Sequence, residues 1–218
     1  MKLEVNVPEN LNDITLGQYQ EFLKIETPTE EDILKVFLNI NVDGLVKIKA
    51  ADVDTYAVHI TSLFEKEADF QNKFDLRNQE FGFIPNLDEI TYGENKDVSA
   101  YINDWETMHK AMAVLYRPIT NSFGKKYLIE NYEGSHKYSE LMKQMPLGVV
   151  MGSMVFFYNL TNDLLKAIPN YLAKEEEKEQ MTGQISAENG EAIRKYTLLL
   201  KEMSADLKKY LPFHYTLV

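Results

Sequence analysis

Apolar positions recur along the chain first with the period of a strand and then with the period of helices. "LEVNVP" alternates Leu3, Val5 and Val7 before Pro8, which predicts a short strand. "ITLGQYQEFLKI" predicts a helix, with Thr15 as N-cap and Gln18 three residues on, the capping-box spacing. "TEEDILKVFLNI" predicts a second, capped by Thr29, with acidic residues in its first turn where the dipole favours them. A third, "DVDTYAVHITSLFEKE", places Val53, Tyr56, Ala57, Ile60 and Phe64 at helical spacing.

The texture then changes. "FQNKFDLRNQEFGFIPN" alternates Phe70, Phe74 and Leu76, then Phe81 and Phe83, with "RNQ" between, which predicts a hairpin with one aromatic face. "DVSAYINDWETMHKAMAVLY" predicts one long amphipathic helix ending before Pro118, and "KKYLIENY" another strand. A helix from Ser135 reaches Met145, where Pro146 restarts or kinks it, and an apolar helix runs on to about Ile168, where Pro169 interrupts. "AKEEEKEQMTGQISAENG" reads as a charged linker. A last helix, from about Glu191 to Leu211, aligns Ile193, Tyr196, Leu200, Met203, Leu207 and Leu211 on one stripe, and "PFHYTLV" returns to alternation. These elements predict an α+β fold, predominantly α-helical, with one small antiparallel sheet or hairpin. They divide the chain into a core domain over 1–173, a linker over 174–190 and a C-terminal helix and tail over 191–218. One internal echo stands out: "LNDITLGQ" at 11–18 returns as "LDEITYGE" at 87–94. A shared helix-start signal and a decayed duplication both account for it.

Residues 145–160, "MPLGVVMGSMVFFYNL", raise the question of a membrane. From Leu147 to Leu160 only Ser153, Tyr158 and Asn159 carry a polar side-chain group. Those residues span roughly 21 Å as a helix, short of a bilayer core of about 30 Å. Asn162, Asp163 and Lys166 interrupt any longer window, so no membrane span is expected. A helix apolar nearly all round is central to a core or pressed between subunits. Gly148 and Gly152, four apart, point to close helix–helix contact.

Composition narrows the function classes. The 218 residues suffice for one large domain or two small ones, and an apolar fraction of 44% supports a sizeable core. The net charge of −11 repels phosphate backbones at long range. The densest basic clusters, Lys125 with Lys126 and Lys208 with Lys209, are too small for a patch, so no nucleic-acid partner is expected. The absence of cysteine removes disulfides, thiol catalysis and thiolate metal sites, and fits a reducing cytoplasm. "MKLEVNVPEN" lacks the long apolar segment of a signal peptide.

Enzyme signatures fail one by one. "SFGKKY" has no glycine five residues before Gly124 and carries Lys126 where a P-loop needs Ser or Thr. "GVVMG" lacks the third glycine and preceding strand of a dinucleotide fingerprint. His59, His109, His136 and His214 are dispersed without metal-ligand spacing. Asp104 with Glu106, and the run Glu175–Glu177, read as solvated helix faces. "NLT" at 159–161 lies within the apolar helix, so it is not read as a glycosylation site. No catalytic residue, metal or cofactor is expected.

Surfaces remain. Phe156, Phe157 and Tyr158 in succession point in three directions, which burial on one side would not use. The 13 tyrosines suit interfaces as well as cores. "LEVNV" and "FHYTLV" either pair in their own sheet or add a strand to a neighbour. The candidate interface residues are therefore Phe156, Phe157, Tyr158, Phe213, Tyr215 and Leu217, while Trp105, also a contact candidate, reads as core on its amphipathic helix.

Four segments, "DITLGQYQEFLKI", "EFGFIPNLDEITYGE", "DWETMHKAMAVLYRPIT" and "MPLGVVMGSMVFFYNL", resemble in order segments of small proteins encoded in the structural gene clusters of tailed bacteriophages, crass-like phages of gut Bacteroides being the nearest. The resemblance runs from about Ile14 to Ile168 and leaves the C-terminal helix and tail outside it. It implies a non-enzymatic virion or assembly protein: a connector, tail or packaged component, or a tail-assembly chaperone absent from the mature virion. Its partners would be other phage structural proteins in a homo- or hetero-oligomer, in the bacterial host cytoplasm during assembly and in the virion if structural. A host-directed binding module or small enzyme is the alternative, marked by a polar cleft with convergent carboxylates or histidines.

Overall fold

A computed structural model describes residues 5–182, with side chains through residue 163 and that of Lys166. Capping sets where the first helices begin. α1 (Leu16–Leu23) opens on Thr15, whose Oγ1 accepts from Gln18 N while Gln18 Oε1 accepts from Thr15 N. α2 (Glu30–Phe37) repeats the box with Thr29 and Asp32. α3 (Val42–Leu45) is a single turn capped by Asn41, and α4 (Ala50–Leu63) packs back on α2. Phe37 joins them, with ring centroids 5.1 Å from Phe22 and 5.4 Å from Phe64.

The sequence echo is a shared structural start. Leu11–Asp13 and Leu87–Glu89 each form a 3-10 turn capped by an asparagine, Asn10 and Asn86. Each turn leads into a Thr-capped helix, α1 and α5 (Tyr92–Tyr101). The residue that closes each box also reaches outward. Gln18 Nε2 donates to Val36 O at 2.9 Å and ties α1 to α2, while Glu94 reaches Arg117. The strand expected over Leu3–Val7 does not form across residues 5–7, which are irregular; Leu3 lies outside the described residues. Val5 and Val7 pack against the core.

The long helix expected over 97–116 is two helices. α5 stops at Tyr101 and α6 (Met108–Leu115) starts after a turn. Asp104 and Thr107 favour local side-chain bonds over helix. Asp104 Oδ1 accepts from Glu106 N, and Thr107 Oγ1 donates to Tyr101 O, both at 2.9 Å. Gln20 of α1 fills the break: its Nε2 donates to Trp105 O at 2.6 Å and lies 3.0 Å from His109 Nδ1. Trp105 is core, edge-on to Tyr19. Every residue of α6 except Lys110 is buried, which makes this helix the centre of the molecule.

β3 (Tyr116–Phe123) follows α6 without a loop and completes a four-stranded antiparallel sheet in the order β1-β2-β3-β4, with β1 (Lys73–Leu76), β2 (Gln79–Phe83) and β4 (Lys126–Ile129). The fold is α+β, as predicted. The β1–β2 hairpin turns on Arg77 and Asn78, both with positive φ, the backbone that a two-residue turn needs to match strand twist. The start of β3, Tyr116, was expected to end the preceding helix, and no element was expected over residues 118–123. The proline at 118 disfavours helix just before it, and Pro118 sits where β3 changes partner. Residues 116–118 pair with β2 and residues 119–123 with β4, across an irregularity between Ile119 and Asn121.

A 3-10 turn, Ser135–Lys137, and α7 (Ser139–Met142) lead to Pro146, and α8 (Leu147–Thr182) begins beside it. Leu147 N donates to Ile14 O and Leu16 N to Met145 O, which staples this junction to the start of α1. α8 passes through Pro169 and through the first half of the expected linker. A helix already anchored propagates past one missing hydrogen bond at less cost than it would need to nucleate again. Its continuation "AKEEEKEQ" also consists of strong helix formers. The rest of the expected linker, 183–190, and the expected helix over 191–211 lie outside the described residues. Gly148 and Gly152 do mark close approach, but to a turn and a loop rather than to a helix. A Cβ on Gly152 would lie 2.2 Å from Asp69 O, and one on Gly148 2.3 Å from Asn12 Oδ1.

Gly152→Ala is expected to destabilise by about 1–3 kcal/mol, because overpacking against backbone outweighs the gain of about 1 kcal/mol in helix propensity. A urea midpoint equal to or above wild type would refute the packing account. His109 is buried. Burial, then Lys143, holds its imidazole below the ordinary value of 6.5, so the folded state binds a proton less readily than the unfolded chain. Its contribution is therefore present above pH 6.5 and lost as pH falls below that value. Urea midpoints should fall between pH 7 and pH 5.5, and His109→Gln should flatten that slope.

Candidate protein-interaction groove

Aromatic burial builds the groove from below. Phe83 of β2 packs edge-on to Tyr116 with centroids 5.2 Å apart, and Phe70, in the loop before β1, packs edge-on to Phe83 at 5.0 Å. Phe156 of α8 stacks on Phe70 at 4.4 Å. Two tyrosines hold this floor. The Tyr116 hydroxyl donates to Gln71 O at 2.6 Å and lies 2.8 Å from Ser153 Oγ of α8. The Tyr127 hydroxyl donates to Phe83 O at 2.8 Å and Asn72 O at 3.1 Å. Burial pushes both phenols up, so both stay donors at neutral pH. Tyr127 crosses directly over Gly82, where a Cβ would lie 2.4 Å from its ring.

Above the floor lies a half-open groove of about 830 Å³, lined by Phe70, Phe83, Phe156, the segment Ile84–Asp88, Phe123 and the run Lys125–Leu128. Phe123 and Leu128 expose 61% and 55% of their surfaces, far more than a core residue. The charged lining is Lys125, Lys126 and Asp88. β4, which forms part of the wall, pairs with β3 on one side and with no strand on the other among the described residues.

Of the predicted interface residues, Phe156 lines the groove. Phe157 and Tyr158 do not line it; both are half-buried and packed against the core, with Phe157 5.9 Å from Phe83. Phe213, Tyr215 and Leu217 lie outside the described residues. Sequence reasoning missed Phe70, Phe123 and Leu128 as contact residues. Phe123 beside Gly124, which has a positive φ in the β3–β4 turn, was the available signal.

A second polar constellation holds the fold. Arg117 Nη1 lies 2.6 Å from Glu94 Oε1, both side chains nearly fully buried. Burial opposes the Glu94 charge, but hydrogen bonds from Thr91 and the Arg117 guanidinium outweigh it and hold the carboxyl below its usual range. Arg117 also faces the Tyr132 ring, and the Tyr132 hydroxyl donates to Asp97. These groups bind one another and tie α5 to β3. No group of three or more histidine, cysteine, aspartate or glutamate residues suited to a metal occurs among the described residues. No helix among them is long and apolar enough to cross a membrane.

Comparison of the chain with protein-family models, curated proteins and solved structures gives no match. Tyr127→Phe, which removes the hydroxyl that braces Phe83 and Asn72, is expected to cost about 1 kcal/mol. Chemical denaturation that shows no loss would mean that this bond does not brace the floor.

Proposed function

We propose that this chain is a non-enzymatic structural or assembly protein of a tailed-bacteriophage virion that works through protein–protein contact at the groove. The observation that carries this reading is an aromatic floor fixed by core tyrosines beneath exposed Phe123 and Leu128. Pre-formed pockets of this kind accept the apolar anchors that dominate binding energy. The unpaired edge of β4 adds main-chain donors and acceptors for an extended segment. The occupant that fits is an extended apolar stretch of another virion protein, with Lys125 and Lys126 favouring an acidic flank. A lining with a single carboxylate, Asp88, supports contact over acid–base catalysis. The resemblance of four segments to phage structural-cluster proteins supports the virion setting.

The test is a phage carrying Phe123→Asp together with Leu128→Asp. A loss of about 3 kcal/mol of contact energy corresponds to more than a hundredfold weaker binding, and infectious titre is expected to fall steeply. An unchanged titre would remove the groove from assembly. Mass spectrometry of gradient-purified virions then separates a structural component, which is retained, from a tail-assembly chaperone, which is not.

A further inference from the structure

We propose that, without its virion partner, the free edge of β4 pairs antiparallel with the same edge of a second copy, about a twofold axis at Leu128. The edge has no strand beside it among the described residues. Glu130 N donates to Pro118 O and Leu128 O accepts from Thr120 Oγ1, so residues 128 and 130 turn their main chain toward β3. Alternation in an antiparallel ladder then turns the main-chain groups of Tyr127 and Ile129 to the free side. In the twofold pair, Tyr127 exchanges both main-chain bonds with the second copy's Ile129, and Ile129 does the same with the second copy's Tyr127. Leu128 meets the second copy's Leu128 between them, in the closer, non-hydrogen-bonded position.

Charge selects this register. Lys126, Leu128 and Glu130 share one face of the strand at a period of two. Centring on Leu128 sets each Lys126 opposite the second copy's Glu130, and opposite charges at facing positions stabilise a strand pair. Antiparallel pairs centred on Lys126 or on Glu130 would set like charges opposite each other. Lys126 is exposed and holds no ion pair among the described residues. Glu130 already accepts from Lys137 Nζ and the Tyr138 hydroxyl, but a carboxylate has further lone pairs and 30% of this side chain stays exposed. Lysine on an edge ordinarily repels other strands; this one admits a strand whose facing position is acidic. One pair of strands buries little area, so the dimer forms only at high protein concentration. The inference rests on the β4 edge accepting a strand, as the groove reading does. The edge cannot hold a second copy and a virion segment together, so the dimer is the partner-free state.

The full chain contains no cysteine, so a single introduced thiol reports without background. Leu128→Cys places two thiols in a pair whose Cα atoms lie about 4.5 Å apart, within disulfide range. The expected result is a reductant-sensitive dimer under mild oxidation, with a yield that rises with protein concentration. Lys126→Cys, about 14 Å from its counterpart in this register, should form little. So should Val58→Cys, at an exposed site on α4. Adding Lys126→Glu to Leu128→Cys turns both charge pairs repulsive and should cut the yield about tenfold. A monomer whose Leu128→Cys thiol labels freely would overturn the pairing. A thiol that labels slowly even when dilute would mean that the chain covers its own edge, which also overturns it. Equal yields at all three sites would mark random collision, and an unchanged yield with Lys126→Glu would refute the register. Trapping is read on the purified protein and the Phe123→Asp, Leu128→Asp titre on phage, so the self-pairing and the groove reading fail separately.

Discussion

The hydroxyl of Tyr116 is buried where helix α6 becomes strand β3, and a buried hydroxyl without partners costs about 1–3 kcal/mol. Its bond to Gln71 O and its contact with Ser153 Oγ therefore do more than satisfy one oxygen. They fix the loop before β1 and the second turn of α8 to the end of the most buried helix. The Tyr116 ring packs against Phe74 and Phe83, so the same side chain sets the height of the sheet. Because no loop separates α6 from β3, displacement of this residue would move helix and strand together.

Two similar helix starts flank this centre and serve different ends. Gln18 closes the box of α1 and donates to the carbonyl of Val36, a neutral bond at a partly buried site. Glu94 closes the box of α5 and meets Arg117, a charge pair in a nearly dry setting. Breaking such a pair from one side is costly, because it leaves a buried charge alone. The ion pair ties β3 to α5, and the Tyr127 brace ties β4 to the carbonyl of Phe83 on β2. The groove floor lies on that held sheet, which is what makes it a pre-formed surface.

Much of the chain was legible because local chemistry acts alone there. The threonine-capped starts of α1 and α2 depend on residues within one turn, as does the aromatic hairpin from Phe74 to Phe83. The errors fall where that independence ends. The apolar spacing over 97–116 is continuous and predicts one helix, while the side-chain bonds of Asp104 and Thr107 redirect the backbone. β3 was missed because Tyr116–Phe123 lacks clean alternation, a consequence of its change of partner at Pro118. The charged run after 173 was read as a linker by composition, although its residues are strong helix formers attached to an anchored helix.

The sequence by itself determined the fold class, the starts of α1 and α2, the core role of Trp105 and the close approaches at Gly148 and Gly152, because caps, periodicity and missing side chains are local properties. Tertiary structure decided what those glycines approach, which of three successive aromatics faces the groove, and that Phe70, Phe83, Phe123 and Leu128 line one surface. These residues come from a loop and three different strands, and no sequence period relates them. They meet because Tyr116 and Tyr127 need buried partners, and those partners lie far away along the chain.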